Sequence, residues 1–119
     1  MLVDLHMHTY YSDGTFSPRE IAIKGKEKNV GIMAVTDHNR IGAWEEFSKA
    51  AKENGIIPIK GVEINAKFQN QVLHILGYGF EDTEELLAVL KHADDEMEQM
   101  SRDLIINLAK VDAQVSIED

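Results

Sequence analysis

The chain contains no cysteine. That absence removes a disulfide framework, a zinc–thiolate site and a thiol nucleophile together, and any metal must then be held by nitrogen and oxygen. Cationic side chains are scarce: 12 Lys and Arg stand against 21 Asp and Glu, a formal net charge of −9. A surplus of this sign argues against strong binding to a nucleic-acid backbone or an anionic membrane as a passive electrostatic partner. Bound divalent cations would reduce it, since the count treats every carboxylate as free. No apolar run approaches the ~18 residues a membrane-crossing helix needs. Met1 is not followed by the basic and then apolar segments of a secretory leader. A soluble, cytoplasmic protein is expected. Internal repeats and low-complexity segments are missing as well.

What is present is a globular composition, 44% hydrophobic over 119 residues. A length of this order is normally one domain, burying roughly two thirds of its unfolded surface. Leu2 to His8 reads as a strand, with Asp4, His6 and His8 on one face and Val3, Leu5 and Met7 on the other. A loop from Thr9 to Phe16 follows, with the turn-forming Asp13-Gly14 pair inside it. The run 17-SPRE-20 is a helix start, in which Ser17 caps, Pro18 takes the first position and Glu20 closes a capping box. That helix is predicted to reach about Asn29. Next, 32-IMAV-35 is a short apolar strand ending in 36-TDHN-39, and a second helix is predicted from about Ala43 to Glu53, stopped by Asn54-Gly55. Strands at 56-IIPIKGVEI-64 and 72-VLHILGYGF-80 come after it. Short apolar strands mixed with helices predict an α/β fold with a parallel sheet or barrel.

From about Thr83 the pattern turns helical. Leu86, Leu90, Ala93, Met97, Met100, Leu104 and Leu108 fall three and four apart, one apolar stripe on a long amphipathic helix with acids opposite. The stripe suits a core or lid surface, or a helix partner. A short strand is predicted at 113-AQVSI-117.

The polar residues complete the pattern. In a parallel α/β sheet, ligands bind beyond the carboxyl ends of the strands. His6, His8 and Asp13 lie at the end of the first strand or in its loop, His38 closes the second, Glu63 sits late in the third, and His74 lies within the fourth. Each has an ordinary reading: Asp13 as a turn former, Glu63 as a solvated strand-end acid, His38 as half of a buried pair with Asp37. Their gathering at one rim favours a cation over a private hydrogen-bond network, and imidazole with carboxylate suits zinc, manganese or iron. Asp4 and Asp37 are expected to orient an imidazole through its other nitrogen. His92, on the last helix, is expected to face solvent.

The segments 4-DLHMHTYYSDG-14, 36-TDHN-39, 61-GVEI-64 and 74-HILGYGF-80 resemble, in order and spacing, the N-terminal half of the PHP (polymerase and histidinol phosphatase) family. The compact loop after the first strand is most similar to the stand-alone, metal-dependent phosphoesterases of that family. The resemblance implies a distorted (β/α)7, TIM-like barrel carrying up to three divalent ions. It implies His6 and His8 on the first ion, Glu63 bridging the first and second, His74 on the second, and Asp13 with His38 on the third. Residues 1–82 would then be the first βα units of the barrel, and 83–119 the start of a helical insertion. The family's later ligands, a further His and a closing Asp-x-His, find no match here, so the domain is expected to be incomplete. The implied activity is hydrolysis of small phosphomonoesters or nucleotides through a metal-activated water, with no catalytic side chain beyond the ligands. The alternative is a truncated or non-catalytic fragment that binds metal or self-associates. An uncovered barrel edge predicts a homo-oligomer.

Overall fold

The structure is a computed structural model and describes residues 1–111. Its elements run β1 (Leu2–Asp4), α1 (Pro18–Glu27), β2 (Val30–Val35), α2 (Trp44–Glu53), β3 (Ile57–Phe68), β4 (Gln71–Tyr78) and α3 (Glu84–Lys110). The strand predicted at 113–117 lies outside the described residues.

The helices begin where local chemistry directs. Ser17 Oγ accepts the Glu20 amide at 3.1 Å, and the Glu20 carboxylate accepts the Ser17 amide at 2.8 Å, so the predicted capping box is present. Thr83 Oγ1 accepts the Leu86 amide at 3.2 Å and starts α3 in the same manner. The α1 and α2 helices lie over β2 and enclose a core built from Ile21, Met33, Val35, Phe47, Ala50 and Ile56.

The sheet order is β1-β2-β3-β4. β1 with β2 and β2 with β3 are parallel, as expected of strands joined through helices. β4 departs from the expectation of a parallel sheet: it runs antiparallel to β3, from Gly61 opposite Tyr78 to Phe68 opposite Gln71. The connection is a tight hairpin through Gln69 and Asn70, with φ of 50° and 63°. Two consecutive left-handed residues match the twist of a two-residue hairpin, and no crossover helix intervenes.

β1 is also shorter than the expected Leu2–His8. Its ladder stops at Asp4, and beyond it the Thr36 amide and hydroxyl both turn to the Met7 carbonyl, at 2.7 and 3.3 Å. The chain thus continues beside the end of β2 without regular pairing. The sheet curls strongly. Tyr78 on β4 donates its hydroxyl to the Leu5 carbonyl just past β1, at 2.6 Å, although β2 and β3 separate the two strands in sheet order.

Of the stripe on α3, Leu90 and Ala93 are buried, whereas Met97, Met100, Leu104 and Leu108 are exposed. His92 faces solvent, with its side chain 76% exposed. Among the described residues no helix is long and apolar enough to cross a membrane.

Candidate metal centre

Four segments bring imidazoles and carboxylates to one end of the sheet. The first is the loop after β1. Thr9 is fully buried there, with its amide 2.7 Å from Asp37 Oδ1 and its hydroxyl 2.7 Å from Asp37 Oδ2. Ser12 Oγ donates to Asp37 Oδ1 at 2.6 Å. The loop turns back so tightly that a Cβ on Gly14 would sit 2.3 Å from the His8 carbonyl oxygen, which is why glycine follows Asp13. Asp13 is thereby aimed at His8 and His38, with carboxylate oxygens 3.2 Å from each ring.

The second segment, after β2, is bound to the third by backbone. The Glu63 amide donates to the Asp37 carbonyl at 3.1 Å, and the Asn39 amide donates to the Glu63 carbonyl at 2.9 Å. This pair sets His38 beside Glu63. The Asn65 amide donates to Asn39 Oδ1 at 2.9 Å, closing the corner from the next residues. β4, the fourth segment, supplies His74 from the register position opposite Asn65.

Glu63 is the hub. Its side chain is 6% exposed, with Oε1 2.7 Å from His6 Nε2. Its Oε2 lies 3.0 Å from His38 Nδ1, 3.6 Å from His74 Nδ1 and 3.7 Å from His8 Nε2. The His8 and His38 rings stack, with centroids 4.4 Å apart. His8 Nδ1 is buried and has no hydrogen-bond partner: the nearby Asp13 oxygen is close enough but not in the direction a hydrogen bond requires.

Three sets of donor atoms emerge, each within 4.8 Å of one another: His6–His8–Glu63, His8–Asp13–His38 and His38–Glu63–His74. Ligand bonds of about 2.0–2.2 Å allow a comparable spread around one ion. An orphaned buried nitrogen, a sunken carboxylate ringed by imidazoles, and a wholly nitrogen-and-oxygen donor set all fit divalent cations. All six residues singled out as ligands therefore converge. The contacts of Asp4 and Asp37 differ from the expected ones. Asp4 accepts the backbone amide of His6 at 3.3 Å, and Asp37 holds Thr9 and Ser12 in the loop.

Sequence reasoning did not single out Asn39, Asn65, Arg40 or Tyr78, and it placed Met97 only in the apolar stripe of α3. Asn65 Oδ1 lies 3.2 Å from His38 Nδ1, and the carboxamides of Asn39 and Asn65 both turn to the Met97 sulfur on α3. Arg40 ties the Tyr11 carbonyl, at 2.9 Å, to Asp94 of α3, at 3.2 Å. Alternation at Asn65, two residues past Glu63 on the same face, was the signal available for one of these. A cleft of about 360 Å³ opens beside the cluster, between Asp13, His38 and His74 on one side and Arg40, Asp94 and Met97 on the other. A second, largely apolar hollow of about 410 Å³ continues under α3, past Val72, Met100 and Leu104. Burial, followed by the charge of Glu63, raises the Tyr78 phenol above its ordinary pKa, so it remains a donor at neutral pH.

Known proteins resemble the chain in sequence and in fold. A 5'-3' exoribonuclease of Haemophilus influenzae is 38% identical over 87 residues, covering 73% of this chain and 32% of that protein. A 3',5'-nucleoside bisphosphate phosphatase of Chromobacterium violaceum is 34% identical over 86 residues, covering 72% and 30%. The chain thus spans about a third of the length of these curated relatives. Among solved structures, a C. violaceum amidohydrolase with bound sulfate and no metal superposes with a TM-score of 0.84 at 29% identity, covering 93% of this chain and 39% of that one. A Bifidobacterium adolescentis structure described as a metal-dependent phosphoesterase gives 0.87 at 23% identity, covering 98% and 41%, and so matches in fold: a curled, barrel-like α/β sheet. The PHP domain profile matches residues 4–114, a span that holds every member of the polar cluster, and the chain belongs to the PHP domain family.

Proposed function

We propose that this chain carries the cation-holding face of a metal-dependent phosphoesterase acting on small phosphomonoesters or nucleotides. The observation that supports it best is the sharing of residues: His8, His38 and Glu63 each belong to two of the three donor sets, so ions held there would be close neighbours. We assign His6, His8, Asp13, His38, Glu63 and His74 as ligands, with zinc, manganese or iron as the matching metals. Cations bound at such a cluster acidify a water and neutralise charge on the phosphoryl group. The protein's share is to hold them. Glu63 turns one oxygen to His6 and the other to His38 and His74, which suits a bridging carboxylate. Asp37 fixes the loop that carries Asp13. An acidic chain repels a phosphate ester unless cations reverse the sign locally, so the net charge of −9 agrees with a loaded site.

The substrate class leans on relatives named as a nucleoside bisphosphate phosphatase and as exoribonucleases, so RNA ends belong in the assay beside small esters. We read residues 1–82 as the first βα units of the barrel and 83–119 as the start of a helical insertion, in a cytoplasmic protein that self-associates through its uncovered apolar edge. A second reading is metal binding or self-association without turnover, since the three donor sets need no catalytic side chain to hold an ion.

The test is direct. The purified protein should hold divalent metal in a fixed ratio and hydrolyse an aryl phosphate with added manganese, and His8→Ala should abolish turnover and lower that ratio. Bound metal with no turnover on esters or RNA ends would leave the second reading standing. No bound metal would sink both readings.

A further inference from the structure

Of the segments that build the cluster, the one after β1 has the least regular support. The β1 ladder ends at Asp4, and the His6 side chain is 51% exposed, the second most open of the four clustered imidazoles. Further along, the Met7 carbonyl is bound by Thr36 and the Thr9 amide by Asp37. Between these anchors and β1, the Leu5–His6 peptide is gripped at both polar groups, its carbonyl from the opposite edge of the sheet and its amide from β1. The Tyr78 hydroxyl donates to the Leu5 carbonyl at 2.6 Å, and the Asp4 carboxylate takes the His6 amide at 3.3 Å. The Tyr78 ring is itself steered from β3. It pairs in register with Gly61, where a Cβ would lie 3.3 Å from the ring Cδ1 and 2.8 Å from Thr36 Cγ2. Glycine at 61 leaves the ring room to lie across the curl of the sheet.

We propose that Tyr78 is a positioning residue for His6: by pinning the Leu5–His6 peptide it sets where that imidazole meets Glu63 and completes the His6–His8–Glu63 set. The hydroxyl touches no member of the set. It acts through one peptide unit, on a ligand whose own strand has already ended. The inference rests on the metal-binding reading proposed above.

A cobalt(II) titration of the wild type, Tyr78→Phe, His6→Ala and the double variant, followed by visible absorption, tests it. Tyr78→Phe retains the ring on Gly61 and removes only the donor. It should weaken one cobalt per chain by about tenfold, the usual scale for a group supporting a ligand, with an altered spectrum for that ion. In the His6→Ala background the same change should add nothing. Equal affinity and spectrum in Tyr78→Phe would overturn the assignment, as would an equal loss in the His6→Ala background. Failure of metal-free Tyr78→Phe to fold would mark the hydroxyl as a fold clasp and also overturn it. A wild type that takes up no cobalt removes the metal-binding reading and this assignment together, whereas uptake unaffected by Tyr78→Phe removes this assignment alone.

Discussion

Asp37 shows how a residue beside the cluster shapes it without joining a donor set. Its buried carboxylate accepts three hydrogen bonds from Thr9 and Ser12, which fold the loop that presents Asp13. Asp37→Ala should destabilise the protein by at least about 1.5–3 kcal/mol, the worth of one charge-assisted hydrogen bond, and lower metal occupancy through Asp13; urea unfolding and metal analysis read the two effects. Unchanged stability would contradict a structural role. At this scale the gathering of His6, His8, Asp13, His38, Glu63 and His74 was legible, because imidazoles and acids at strand ends are unusual and recur in four segments. The second nitrogens were not. Which group supports an imidazole depends on loop geometry, and Asp37 lies one residue from His38 in sequence yet spends its oxygens on the loop after β1.

Helix α1 carries a pH-dependent element. The Ser17 amide, and then its hydroxyl, hold the Glu20 carboxyl below its ordinary pKa. A carboxyl lowered on folding adds stability at pH values above its unfolded pKa and loses it as pH falls through the folded value. The stability gap between wild type and Glu20→Gln should therefore close below about pH 4, while Ser17→Ala should cost about 0.5–2 kcal/mol at neutral pH. Thermal melts of both variants across pH check this, and a gap that widened in acid would refute the sign. Element identity was largely legible: Ser17, Pro18 and Glu20 start α1, Asn54-Gly55 ends α2, and the helical pattern of α3 opens at about Thr83. The direction of β4 was not. Gln69-Asn70 is a weak turn signal beside Asn-Gly, and an apolar strand looks the same in sequence whether its neighbour runs parallel or antiparallel.

On the scale of the whole molecule, apolar surface gathers on β4 and the far half of α3. Val72, Leu73, Ile75 and Leu76 are exposed on the strand, and Met97, Met100 and Leu104 on the helix. Exposed apolar side chains beside a strand that, among the described residues, is paired on one side only favour association. Light scattering at micromolar concentration should find a dimer or larger species, and Leu104→Glu should shift it towards monomer; a monomeric wild type would remove the expectation. The backbone exchange between Glu63 and the Asp37–Asn39 turn carries a separate consequence. Because side chains alternate along a strand, sliding β3 by one residue would seat Val62 or Ile64 where the hub carboxylate stands. Proofreading of the β2–β3 alignment and assembly of the polar cluster are then a single event, and an ion bound by the proposed ligands would report, in real time, that the strands have zipped in the right frame.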